Sequence, residues 1–140
     1  MVELTEHLHP MVVHFPIALF IMALFFELLS VFTRHEGLHK TALHLFVTAA
    51  LITPLVVRTG LDEAARLNLK HPVLNEHREY AEWLMWVSLA ALPLLWAVNR
   101  KCQKCFRAVF ILVLISTAVL VTLTGHEGGK MVFEYGVGTE

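Results

Sequence analysis

The chain has 140 residues, of which 56% are hydrophobic and only 16% charged, and its mean hydropathy is +0.62. This composition is unlike that of soluble proteins and indicates a membrane protein forming a single domain, residues 1–140. The net charge of −1 excludes the broad basic surface that a nucleic-acid partner requires. The first nine residues include acids but no lysine or arginine, so we expect no cleavable signal peptide.

Four apolar runs predict the fold. The first, residues 11–32, would extend about 33 Å as a helix and cross the hydrocarbon core, and the other three reach that length with their polar flanks. A soluble helical bundle would need a polar face on each helix, and runs such as residues 108–120 offer almost none. We therefore predict an all-α, integral-membrane four-helix bundle in a lipid bilayer. The helices are expected at about residues 10–33, 40–58, 75–99 and 105–124, followed by a C-terminal tail at 125–140.

The chain contains an internal repeat. Each half opens with a His-Pro pair and a second histidine, and closes with a Thr-Gly pair. The matching elements are His9-Pro10 with His71-Pro72, His14 with His77, and Thr59-Gly60 with Thr124-Gly125. We therefore predict two copies of a helical hairpin that run in the same direction. Equivalent residues then face each other across an axis along the membrane normal.

Positive charges predict the orientation. The two short loops hold most of the cations next to helix ends, namely Arg34, Lys40, Arg100, Lys101, Lys104 and Arg107. The long central loop carries charges of both signs. The positive-inside rule therefore predicts cytoplasmic short loops, with the N- and C-termini on the opposite side of the membrane.

His14 and His77 are the candidate ligands of a cofactor. The repeat is expected to place them at the same depth on opposite sides of its axis. Two imidazoles so placed can ligate a haem iron from both faces, as in b-type cytochromes. His126, directly after Gly125, is a reserve ligand. A single histidine at a helix end, by contrast, is commonly only a polar anchor or cap.

Four further residues belong to this predicted haem site. Gly60 and Gly125 are expected to cap helices, and without a Cβ they would also let backbone approach a porphyrin edge. Arg58 and Arg78 could pair with haem propionates, although interfacial arginines commonly only extend towards water.

Other polar residues leave alternatives open. A zinc or copper ion could gather the imidazoles of His9, His14, His77 and His126. Glu27, in the inner half of the first helix, is expected to be protonated or to meet His44 on the neighbouring helix. A buried structural hydrogen bond is the favoured role for Glu27, ahead of a proton relay.

Cys102 and Cys105 form a single CxxC motif in the second short loop. No histidine follows Cys105, so the motif is not a c-type haem attachment site. Two thiolates also fall short of a zinc site. We expect both cysteines to be reduced.

The opening HPMVVHFPIAL, residues 9–19, resembles the HP-x-x-VHFPIAL motif of a family of small bacterial four-helix membrane proteins catalogued as a domain of unknown function (DUF2231-like). The Gly60–Asp62 step, His77 and the glycine-rich tail are also similar to that family, and the resemblance covers almost the whole chain. Family members occur joined to or beside c-type cytochromes and other respiratory proteins. The resemblance thus implies a bacterial membrane protein and favours electron transfer. Together with the positive-inside rule, it predicts the bacterial inner membrane with periplasmic termini.

Together these features predict a membrane b-type cytochrome-like subunit that binds one haem b near the outer face. It would link the quinone pool to a periplasmic c-type cytochrome or another respiratory subunit. We expect an electron carrier without bond-making chemistry of its own rather than an enzyme. The open alternatives are a structural or assembly subunit of a respiratory complex and a copper- or zinc-handling membrane protein.

Overall fold

The computed structural model describes residues 8–66, 68 and 72–136. Its helices are α1 (Leu8–Val12), α2 (His14–Thr33), α3 (Glu36–Arg66), α4 (Pro72–Lys101) and α5 (Gln103–Phe133). The first two form one membrane span that is interrupted at Val13. Pro16 explains the interruption, because it has no N–H to bond the carbonyl of Val12, where α1 ends.

Within the described ranges, four helical segments are long and apolar enough to cross a membrane, and there is no strand. They are His9–Thr33, Glu36–Arg66, Pro72–Lys101 and Cys105–Phe133. Large apolar side chains point outward from all four, among them Phe15, Leu51, Trp86 and Leu112. A lipid environment accommodates such a surface, whereas soluble proteins rarely carry one. The predicted all-α bundle with four spans is confirmed.

Two helical hairpins build the bundle. Helix α2 packs most extensively against α3, and α4 against α5, while smaller contacts of α2 with α5 and of α3 with α4 close the ring. Small buried residues let the helix backbones approach each other, as is usual in membranes; they include Ala23, Ser30, Ala42, Ala49, Ser88 and Ala91. Phe46 fills the centre, with its ring 5.8 Å from that of Phe20 and 5.7 Å from that of Phe110.

Two helices are longer than the sequence predicts. Gly60 lies inside α3, which continues to Arg66, and Gly125 lies inside α5, which continues to Phe133. The C-cap interpretation of both glycines is therefore wrong, since a capping glycine has a positive φ and neither of these does. Most of the predicted tail is helix. His71 of the repeat and residues 137–140 of the tail lie outside the described residues.

Truncating the aromatic centre tests this packing. Phe46→Ala removes a fully buried ring, so it is expected to lower the free energy of unfolding. Truncations of this kind cost about 3–5 kcal/mol in soluble cores. The loss here should be smaller, because in lipid only packing contacts disappear and no apolar surface meets water. Unfolding in mixed detergent measures it.

Leu51→Ala is the matched control, because Leu51 lies exposed on the same helix. It should leave the unfolding midpoint close to that of the wild type. An equal loss for both variants would contradict the packing described above.

Candidate functional site

The ring of His9, in α1, lies against α3. Its Nδ1 is 3.2 Å from the carbonyl oxygen of Val56 and 3.3 Å from Oγ1 of Thr59. The Thr59 hydroxyl donates to the same carbonyl at 2.8 Å, so it turns a lone pair towards the imidazole. A Cβ at Gly60 would come within 2.8 Å of Cε1 of His9. The ring therefore occupies the space of the missing side chain.

The ring of His77, in α4, lies against α5 in the same way. Its Nδ1 is 2.9 Å from the carbonyl oxygen of Thr124. A Cβ at Gly128 would come within 3.3 Å of Cε1 of His77. In both halves, histidine and carbonyl residue are 47 positions apart.

Helix geometry explains why each carbonyl is followed four residues later by a glycine. In an α-helix the N–H of residue i+4 bonds the carbonyl of residue i, and side chains lean back towards the N-terminus. A Cβ on Gly60 or Gly128 would therefore approach that carbonyl. Without one, the imidazole of the neighbouring helix has room to bring its N–H to the second lone pair of the carbonyl.

The two histidines meet where the hairpins face each other. Their ring centroids are 6.4 Å apart and their planes are nearly perpendicular, at 86°. We call His9 and His77 the histidine pair. The residues that correspond in the two halves are His9 with His77, Val56 with Thr124, Thr59 with Glu127, and Gly60 with Gly128. The predicted match of Thr59-Gly60 with Thr124-Gly125 and of His14 with His77 is therefore wrong in register, although the two-hairpin repeat itself is present.

The hydrogen bonds also determine which nitrogen is free for chemistry. A carbonyl oxygen only accepts, so Nδ1 of each ring carries the hydrogen and donates it. In a neutral ring, Nε2 then holds the lone pair that binds a metal ion or a haem iron. Both rings of the histidine pair therefore have the same tautomer, in which Nε2 can act as a ligand.

The structure does not place His14 in this arrangement. His14 is exposed at the start of α2, and the ring beside His77 is that of His9. His126 and Gly125 are exposed as well, and a Cβ at Gly125 would meet nothing within 4 Å. The signal available in the sequence was the equal spacing from His9 to Gly60 and from His77 to Gly128.

Arg58 and Arg78 both lie on the surface. Arg58 is 3.2 Å from Asp62, and Arg78 is 2.7 Å from Glu82, each pair one helical turn apart. Surface pairs of this kind contribute little to stability. Their part in holding propionates stays a prediction.

Glu127 is a buried carboxylate next to Gly128. Its Oε1 accepts a hydrogen bond from Nζ of Lys130 at 2.9 Å. Its Oε2 is buried and finds no hydrogen-bond partner among the residues that the structure describes. Burying a carboxylate oxygen unpaired is unfavourable, so this position suits a donor group from a bound molecule.

A second polar cluster lies at the opposite end of the bundle around Glu27, which is fully buried. Nδ1 of His39 is 2.6 Å from its Oε2, and Nε of Arg107 donates to its Oε1 at 3.0 Å. Arg107 also bonds Ser30 and lies 3.4 Å from Glu36. We call these five residues the Glu27 cluster.

The expected contact between Glu27 and His44 is wrong, because the partner is His39. The rings of Phe106 and Phe110 pack edge-on against His39, at 5.7 and 5.8 Å. Five residues of helix correspond to a rotation of about 140°, so His44 points away to the surface. Both oxygens of Glu27 are paired, which makes the Glu27 cluster a structural link among α2, α3 and α5.

Cys102 and Cys105 form a disulfide bond. The prediction of two reduced thiols is therefore corrected: the motif brings both sulfurs together at the start of α5. No group of three histidine, cysteine, aspartate or glutamate side chains within the described part of the chain could hold a metal ion. The zinc or copper alternative thus lacks a donor set there, whereas a haem needs only two protein ligands.

Adding a methyl group at Gly60 tests the contact with His9. Gly60→Ala should displace the imidazole and break its bond to Val56, because the new Cβ would lie 2.8 Å from the ring. The Nδ1–H resonance of His9 in ¹⁵N-histidine-labelled protein reports the change. Gly125→Ala is the control and should stabilise the helix by roughly 0.5–1 kcal/mol. An unshifted His9 resonance in Gly60→Ala would contradict the contact.

Removing the arginine of the Glu27 cluster should be costly. Arg107→Ala leaves a buried carboxylate with only His39, and breaking a buried pair costs about 3–5 kcal/mol. The exposed pair offers a control, since Arg58→Ala should cost less than about 1 kcal/mol. Detergent-induced unfolding measures both. Adding Glu27→Gln to Arg107→Ala should recover part of the loss, and equal losses in the two single variants would refute the link.

The chain was compared with protein families, curated proteins and solved structures. No curated protein and no solved structure matches the chain. The family model described as Predicted membrane protein (DUF2231) matches residues 5–140, which is nearly the entire chain. The four spans and the outward-facing apolar side chains agree with that description. The chain therefore belongs to the DUF2231 family of predicted membrane proteins.

Proposed function

We propose that the protein is a b-type cytochrome-like electron-transfer subunit of the bacterial inner membrane, with one haem b between His9 and His77. The observation that carries the proposal is the duplicated geometry of the histidine pair. His9 takes the place of His14 in the ligand set, because its ring is the one that lies beside His77.

The separation of the rings fits this role. Imidazole nitrogens bind metals at about 2 Å, so two rings that ligate one iron from opposite faces have their centroids about 6 Å apart. The centroids of the histidine pair are 6.4 Å apart. Perpendicular ring planes are compatible with such ligation, since each ring can rotate about its own metal–nitrogen bond.

The surroundings of the rings support the same role. Histidines that ligate metals usually donate their other N–H to a carbonyl or carboxylate, which fixes tautomer and orientation. His9 and His77 both do so through Nδ1. Gly60 and Gly128 admit the rings to those carbonyls. These four residues are the ones that would hold the cofactor.

When bound, the haem would supply reversible one-electron transfer. The protein contributes the two ligands, their orientation and an apolar bundle around them. We propose periplasmic termini, which place the histidine pair near the outer face. A quinol is the proposed donor, since the unpaired Oε2 of Glu127 can accept a hydrogen bond from a hydroxyl. A separate c-type cytochrome or another respiratory subunit is the proposed acceptor.

One observation favours a second candidate, a structural or assembly subunit. Each histidine of the pair ties its own helix to a neighbour, His9 to α3 and His77 to α5. Hydrogen bonds between helices stabilise membrane bundles by themselves. In that role the imidazoles only hold neighbouring helices together by hydrogen bonds, and no cofactor lies between them.

Visible spectra of the purified protein, oxidised and then reduced with dithionite, separate the two candidates. The haem proposal predicts a Soret band and sharp α and β bands on reduction. His9→Ala and His77→Ala should each abolish them, because each removes an axial ligand. His14→Ala is the matched control, since it removes an exposed histidine from the same span, and it should keep the spectrum.

The opposite pattern, with haem lost in His14→Ala and kept in His9→Ala, would return the ligand role to His14. A colourless wild type, with His9→Ala and His77→Ala only less resistant to unfolding, would establish the structural role.

A further inference from the structure

The Cys102–Cys105 disulfide lies where α4 meets α5, at the end of the bundle opposite the histidine pair. Helix α4 ends at Lys101, and Cys102 is the N-cap of α5 in an extended conformation. The sulfur of Cys102 accepts a hydrogen bond from the backbone N–H of Cys105 at 3.3 Å. Cys105 is exposed, whereas Cys102 is half-buried.

This disulfide contributes little to holding the fold together. The stabilisation that a cross-link gives increases with the length of the loop it closes. Here the two cysteines are only three positions apart, in one turn of chain. Helices α4 and α5 already pack along their lengths. Holding α4 to α5 is therefore not the main contribution of this bond.

Its surroundings favour a thiolate. The motif starts α5, where backbone N–H groups without helical partners point outward, and no acidic residue lies in the first turn. Arg100 and Lys101 form the last turn of α4 immediately before it. A helix N-terminus and neighbouring cations are the features that activate cysteines for exchange. Cys102 is the sulfur that already accepts an N–H.

We propose that Cys102 and Cys105 are a redox-active pair that exchanges with a partner protein carrying a dithiol. A partner thiolate attacks Sγ of the exposed residue Cys105, which forms a mixed disulfide and releases Cys102 as a thiolate at the helix N-cap. The second thiol of the partner then loses its proton and attacks the partner sulfur that is bonded to Cys105. This closes the partner's disulfide and releases Cys105 as a thiolate. Two electrons and two protons pass from the partner dithiol to the cysteine pair.

Thiol trapping tests the proposal on the full chain in detergent. The protein is equilibrated in glutathione buffers of increasing oxidation, quenched with acid, and labelled with a maleimide-polymer that shifts its mobility in a gel. The pair should change reversibly between two labelled thiols and none. In Cys102→Ser, the remaining Cys105 should form a mixed disulfide with glutathione in the folded protein, because Cys105 is exposed.

Three outcomes would overturn the proposal. A bond that dithiothreitol reduces only after the protein unfolds would make it an inert link. Two thiols that stay free even in oxidised glutathione would make the cysteines idle. A large fall in unfolding temperature for the double variant Cys102→Ser/Cys105→Ser would make the bond a structural staple, whereas an unchanged temperature supports exchange. These readouts do not depend on haem.

Discussion

An imidazole bound to a helix carbonyl, once in each half of the chain, is the interaction on which the candidate site depends. A helical carbonyl uses one lone pair for the N–H four residues later, and its second lone pair can accept from another donor that reaches it. The missing Cβ atoms of Gly60 and Gly128 leave room for the rings of His9 and His77, each of which reaches its carbonyl from a neighbouring helix. The bond fixes the tautomer of each ring and leaves Nε2 with the lone pair. It also joins the helices within each hairpin.

The two ends of the bundle differ in how their buried carboxyl groups are hydrogen-bonded. Around Glu27 both carboxylate oxygens are paired, and the charge links α2, α3 and α5. Around the histidine pair, by contrast, the Oε2 of Glu127 is buried without a partner in the described part of the chain. In an apolar bundle an unpaired polar group is costly, which is why it marks function more often than stability. The end that carries the histidine pair is therefore the one at which we propose ligand binding.

For the histidines, the sequence predicted one member of the pair but not its partner. The repeat and the importance of His77 followed from spacing and composition, and the structure puts a second imidazole beside that ring. The expected partner was His14, yet the ring found there is that of His9. Glu27 shows the same slip of five residues, with His39 in place of His44. Five residues turn a helix by about 140°, so a five-residue error in assigning the partner exchanges a half-buried ring for an exposed one.

By itself the sequence determined the all-α fold, the four spans and the pairing into hairpins, because these follow from apolar run length and from the repeat. Only the tertiary structure decided which histidines meet, where α3 and α5 end, and that Cys102 and Cys105 are bonded. The reason is that His9 and Val56, like His77 and Thr124, are 47 residues apart. Local periodicity carries no information on such contacts, which depend on how the helices rotate and pack against each other.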